Sequence, residues 1–148
     1  MLRLIPFVSL ALFLGTAATA DDKSDAELKA LVGIWKVEKA ELGGKDITEV
    51  LQVLKFEILA GGKYTAEHGD NKDEGTFTVD PSKKPKQMVV KGMSGPSKGK
   101  IIKAIYKLDG DTLTICYDFN ADKSEYPQKF ESKPDTKLLL TTYKREKK

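Results

Sequence analysis

The stretch Ile101-Ile102-Lys103-Ala104-Ile105-Tyr106-Lys107-Leu108-Asp109-Gly110-Asp111-Thr112-Leu113-Thr114-Ile115-Cys116-Tyr117-Asp118 sets two apolar-rich runs around one Asp-Gly step. Asp-Gly between alternating segments favours a tight turn with positive φ, so 101–108 and 112–118 are predicted to pair as an antiparallel hairpin. Cys116, the only cysteine of the chain, lies in the second run. With one cysteine the chain forms no internal disulfide, and its stability has to come from its own core. Cys116 itself reads as a buried, inert thiol in preference to a nucleophile.

Upstream of the hairpin, the same period-two pattern recurs between turn residues. Strands are predicted at 34–42, 53–59, 63–68, 75–79 and 87–91, and one more follows at 138–143. Polar or Gly/Pro-rich links separate them: Gly43-Gly44, Gly61-Gly62, the polar loop 69–74, Asp80 to Pro85 and 92–99. Proline cannot donate to a ladder, which rules the Pro81–Pro85 stretch out of a strand. The long excursion 119–134 has room for a short edge strand at Gln128-Lys129-Phe130-Glu131. Short links imply antiparallel neighbours. Roughly eight strands in up-and-down order are expected to curl and close, which removes exposed edges. The predicted fold is therefore mainly all-β: an antiparallel barrel of about eight strands, with a short N-terminal helix. That helix is read from Ser24-Asp25-Ala26-Glu27, with Ser24 as N-cap, Glu27 completing a capping box and Leu28 and Leu31 on the apolar face.

The N-terminus carries one basic residue, Arg3, then an apolar stretch from 4 to 15 and the small residues Ala18 and Ala20. These are the parts of a secretory signal, and residues 1–20 are expected to be removed to leave one domain, 21–148. An uncleaved anchor is the alternative, but the segment is marginal for a span of about 20 residues. No cysteine stands at the cut for lipid attachment. The expectation is an exported protein, periplasmic or secreted, with no integral membrane segment after cleavage. The chain has 25 basic and 22 acidic residues, net +3. Its lysine clusters (Lys83-Lys84-Pro85-Lys86, Lys98 with Lys100, and the tail from Lys144) fall in loops or at the end, so no nucleic-acid partner is expected.

Gly33-Ile34-Trp35 after a short helix resembles the Gly-x-Trp opening of lipocalin-type barrels. Near the other end, Tyr143-Lys144-Arg145 places an arginine just beyond the last strand. The resemblance implies that Arg145 packs over Trp35 and closes the base of the barrel; as an ordinary core aromatic, Trp35 falls at the same place. More specifically, the mature chain is similar to a planctomycete-type family of small exported proteins with a lipocalin-like domain. The similarity runs through Leu31-Val32-Gly33-Ile34-Trp35-Lys36-Val37, 80–86, Gly95-Pro96-Ser97-Lys98-Gly99-Lys100, 105–113 and Phe130-Glu131-Ser132-Lys133-Pro134. Where the family pattern has Arg-Pro ahead of the late phenylalanine, this chain has Tyr126-Pro127. The resemblance implies a lipocalin-like barrel and no established activity.

Candidate sites are few. Gly95 to Lys100 is one spacer short of a phosphate loop, has Ile101 where a metal-binding hydroxyl belongs, and precedes a strand, so it is not read as one. His68, Asp70, Asp73 and Glu74 gather metal-ligand types in a polar turn, but their spacing matches no calcium loop and zinc wants a second histidine or cysteine. No metal, cofactor or catalytic constellation is predicted, and the chain is read as a non-enzyme. Alternation places Trp35, Val37, Phe56, Tyr64, Phe77, Met88, Tyr106, Tyr117 and Leu140 in the barrel interior. Phe56, Tyr64, Met88, Tyr106 and Tyr117 are the candidates for contact with a ligand. The leading expectation is a monomeric binding protein taking a small apolar or amphipathic molecule. The alternative is an envelope-associated protein-interaction domain with a filled core.

Overall fold

A computed structural model describes residues 20–120 and 123–147; the expected signal, 1–20, lies outside the described residues except for Ala20. The elements are α1 (Ala20–Leu31), β1 (Gly33–Leu42), β2 (Lys45–Asp46), α2 (Thr48–Leu51), β3 (Lys55–Leu59), β4 (Lys63–His68), β5 (Asn71–Asp80), β6 (Lys86–Ser94), β7 (Ile101–Asp109), β8 (Thr112–Asp118) and β9 (Leu138–Arg145). From β3 to β9 each strand pairs with the next, and β1 pairs with both β3 and β9. Every one of these pairings is antiparallel. Eight strands thus form a closed, lipocalin-like barrel, with the two-residue β2 folded back on the end of β1.

The Asp-Gly hairpin has the predicted register. Asp109 pairs with Thr112, leaving Gly110 and Asp111 as a two-residue turn with Gly110 at φ 59°. Alternation then decides which side chains face inward. On β8 and β9 the inner pairs are Leu113–Tyr143, Ile115–Thr141 and Tyr117–Leu139, while Cys116 pairs with Leu140 on the outer face. Leu140 is therefore not an interior residue as predicted: it is half-buried, and its neighbour Leu139 packs against the core. A one-residue slip in a period-two pattern moves a side chain to the other face, and three consecutive leucines give no alternation to fix the phase. On β1 the register shifts between Val37 and Lys39, so Trp35, Val37 and Ala40 are the buried positions.

Three further expectations are corrected. The polar loop 69–74 is mostly strand. His68 pairs with Asn71 across a two-residue turn, Gly69-Asp70, so β5 begins at Asn71. Its hydrogen bonds to β4 override the polarity of its side chains. Ser24 does not cap α1, because the helix already runs from Ala20 with Asp21 and Asp22 in its first turn, where carboxylates favour the helix dipole. Ser24 Oγ donates instead to the Val79 carbonyl at 3.3 Å. Gln128 to Glu131 is not a strand. With β8 and β9 paired directly from Asp118–Leu138 onward, no edge is free there, and Pro127 lacks a donor. The excursion instead covers the outer face of β7 and β8. Cys116 Sγ lies 3.4 Å from the Glu131 carbonyl, Ser124 Oγ accepts from Lys103 N at 2.8 Å, and Lys107 Nζ sits 4.7 Å from the Phe130 ring centre.

One end of the barrel is plugged by α1. Leu31 is fully buried, and the Trp35 indole donates to its carbonyl at 3.0 Å. The Arg145 guanidinium lies 4.4 Å from the Trp35 ring centre, and it donates to the carbonyls of Ala30 (2.8 Å) and Val32 at the end of the helix. Those carbonyls have no partner within the helix, so the arginine satisfies acceptors that would otherwise need water. Gly33 makes this approach feasible: it sits at φ 155°, and a Cβ there would stand 3.0 Å from Arg145 Nη1.

Candidate ligand cavity

At the opposite end the short α2 follows β1, with Ile47 and Leu51 packed against the core. There the inward residues of the strands enclose a cavity of about 130 Å³, lined mainly by apolar and aromatic side chains. Phe56 comes from β3, Tyr64 from β4, Phe77 from β5, Met88 from β6 and Tyr117 from β8. All five are buried. Four of the five predicted ligand contacts, Phe56, Tyr64, Met88 and Tyr117, thus line one space. Tyr106 does not. Inner positions advance about 6.8 Å per two residues along a strand, so Tyr106 lies roughly 13 Å further down β7 than the lining residue Ile102. There its hydroxyl donates to Glu27 Oε1 at 3.1 Å, and Lys86 Nζ meets the same oxygen at 2.5 Å. Tyr106 belongs to the seam between α1 and the barrel.

Asp73, Ser97, Phe119 and Leu139 also line the wall, and none of them was predicted to. Asp73 alternates inward with Gly75 and Phe77, a signal that is visible only once β5 is started at Asn71. Ser97 arrives on the loop 95–100, which folds back over β6: Gly99 N donates to the Gly92 carbonyl at 3.0 Å, and Gly92 N to the Lys100 carbonyl at 3.1 Å. A Cβ on Gly92 would lie 1.8 Å from the Ser97 carbonyl oxygen, so only glycine admits this fold-back. Asp73 Oδ1 holds the loop by accepting from Ser97 N at 3.0 Å. The segment that faintly resembles a phosphate loop is thus a flap over the barrel mouth. Phe119 and Leu139 also border a surface groove with Leu42, Ile47 and Leu51, which makes them the boundary between cavity and exterior.

The polar groups of the cavity are sparse. Tyr117 and Tyr143 hydroxyls bond each other at 3.0 Å in full burial, and burial raises both above the ordinary tyrosine range. The Tyr64 hydroxyl makes no hydrogen bond to a described residue; burial first, and the Asp73 carboxylate second, push it up to about 12. Among the described residues Asp73 is the only charged residue lining the cavity, and it forms no ion pair. Among the described residues, no three His, Cys, Asp or Glu side chains come together in a way that would hold a metal. His68 lies at the rim, with Nε2 3.1 Å from the Val50 carbonyl. The Cys116 thiol is raised by burial and lies outside the barrel wall, away from His68's strand, so the two do not meet. No described helix is long and apolar enough to cross a membrane.

No protein-family model, curated protein or solved structure matches the chain. The fold itself defines the class: a lipocalin-like eight-stranded barrel with one end plugged by a helix and a small apolar cup at the other.

Proposed function

We propose that this is an exported, non-enzymatic binding protein that holds a small apolar or amphipathic molecule in the cup of its barrel. The observation that carries the reading is the 130 Å³ cavity walled mainly by apolar and aromatic side chains, with the Tyr64 hydroxyl, which makes no hydrogen bond to a described residue, beside it. A few polar groups in an otherwise apolar hollow orient a guest, and a hydroxyl with bonding capacity to spare is a ready anchor for one. Size sets the scale of that guest. Drug-sized ligands fill about 300–1,000 Å³, whereas an apolar cavity of about 150 Å³ takes benzene. The cup therefore takes a body of roughly one six-membered ring, with any longer substituent leaving past Phe119. The export half of the reading rests on the basic, apolar and small-residue order of residues 1–20.

Native mass spectrometry of protein purified from its own source tests the proposal, together with thermal shifts in millimolar cyclohexanol. The expected results are a retained small molecule and a melting temperature that rises with cyclohexanol concentration. Ala66→Phe, which fills the cavity from its wall, is expected to abolish both. The absence of both retention and stabilisation in the unsubstituted chain would refute the proposal.

A further inference from the structure

We propose that the guest is a small organic cation: a primary or substituted ammonium on an apolar body of about one ring, with its charge at Asp73 and its body among the aromatic rings. This deepens the binding reading above and rests on it.

The argument begins with a charge that lacks a partner. Asp73 is half-buried and inward-facing on β5, opposite Ala66. One of its oxygens accepts from Ser97 N. None of the ion pairs of the described residues includes it, and no Lys, Arg or His lines the cavity. The chain is not short of lysines, having a net charge of +3, yet places none here. A carboxylate withdrawn from water is costly unless it is paired, so the wall offers a cation a favourable place that it denies an anion.

The rings make the same selection. Phe56, Tyr64, Phe77, Tyr117 and Phe119 all border the cavity. Phe56 and Tyr64 lie 6.3 Å apart at 55°, and Tyr117 and Phe119 5.6 Å apart at 32°, so the rings stand at several tilts around the hollow. Ring faces are electron-rich and attract ammonium groups within about 6 Å of the centroid, which is how aromatic cages recognise alkylated amines. An anionic guest would face these rings and Asp73 together. A neutral guest would satisfy Tyr64 but leave Asp73 unpaired.

Three probes of one shape separate the alternatives: cyclohexylammonium, cyclohexanol and cyclohexanecarboxylate, titrated into the full mature domain at pH 7 and read by calorimetry and by amide shifts. The cation is expected to bind about tenfold or more tighter than the alcohol, since one partly shielded charge pair is of that order, and the carboxylate weakest. Asp73→Asn keeps an oxygen to accept from Ser97 N, so the loop and the melting temperature should be retained while the cation falls to the affinity of the alcohol. If the alcohol or the carboxylate binds as well as the cation, or if Asp73→Asn leaves cation binding unchanged, the cation assignment is overturned and the binding reading stands. If none of the three binds, the binding reading fails and the assignment fails with it.

Discussion

Replacing Arg145 by alanine should destabilise the domain by about 3 kcal/mol, within a range of roughly 2–4. The guanidinium is stacked 4.4 Å from the Trp35 ring centre, a contact of about 0.5–2 kcal/mol. It also donates to the Ala30 and Val32 carbonyls, and charge-assisted hydrogen bonds contribute roughly 1.5–3 kcal/mol each when buried. Here the site is at the barrel's end, where water can reach the freed carbonyls, so the lower figure applies to each bond and less to their sum. The Asp111 pairing at 3.1 Å adds little, because that carboxylate is 55% exposed. Arg145→Lys keeps the charge near the ring but loses the fork that reaches two carbonyls, and about half the loss is expected. Trp35 is the only tryptophan, so urea unfolding followed by its fluorescence reads the transition directly. The midpoint should fall while the slope stays constant, the mark of a stability change without a change in exposed surface. A loss below about 0.5 kcal/mol for Arg145→Ala, within the scatter of ordinary surface substitutions, would show that the stacked guanidinium does not fasten α1 to the barrel.

Tyr117→Phe should cost about 1–2 kcal/mol, because it strands the buried Tyr143 hydroxyl; chemical denaturation of the double variant Tyr117→Phe/Tyr143→Phe should show less than the sum of the two single losses. Additive losses would mean the two hydroxyls do not depend on one another. Cys116 is covered by the 119–137 excursion and its thiol is raised by burial, so a disulfide reagent at pH 8 should modify it at least about a hundredfold more slowly in native protein than in urea. Rapid stoichiometric labelling of the native chain would show that the excursion does not stay down.

The sequence was most legible where alternation ran between clear turns. Asp109-Gly110-Asp111 announced its hairpin, and residues such as Phe56 and Phe77 could be placed inward because polar neighbours flanked them. Legibility failed where pattern and position carry different information. Leu138-Leu139-Leu140 is apolar on both faces, since its outer side lies on the same face as Cys116 under the excursion, so the phase was ambiguous. Asn71-Lys72-Asp73-Glu74 is uniformly polar, and only pairing with β4 makes it a strand. The cup inherited that difficulty. Its aromatic half was readable from strand periodicity, but Asp73 was counted with a solvent-facing turn. Ser97 enters through a backbone fold-back that depends on the missing side chain of Gly92, and a missing side chain leaves no pattern to read. Tyr106 shows the opposite limit. Alternation gives the face of a strand, but not the height along it, and height separates the seam with α1 from the cup.

That difference in height also separates two kinds of construction. At the plugged end, Trp35, Leu31 and Tyr106 are almost wholly buried and tied by several side-chain hydrogen bonds to the helix. At the cup, the flap 95–100 is joined to β5 through one side-chain bond, Asp73 to Ser97 N, and to Gly92 of β6 through two backbone bonds. Local opening is cheapest where few buried contacts and few hydrogen bonds must break, so the barrel should open at the cup before it opens at the base. The same carboxylate that pins the flap also faces the cavity. On the cation reading proposed above, a guest that neutralises Asp73 would lower the cost of keeping that carboxylate half out of water, and so favour the arrangement in which it holds Ser97. Occupancy and closure of the flap would then be one equilibrium, joined at a single side chain, and a guest would stabilise the closed mouth only by as much as it prefers that state to the open one.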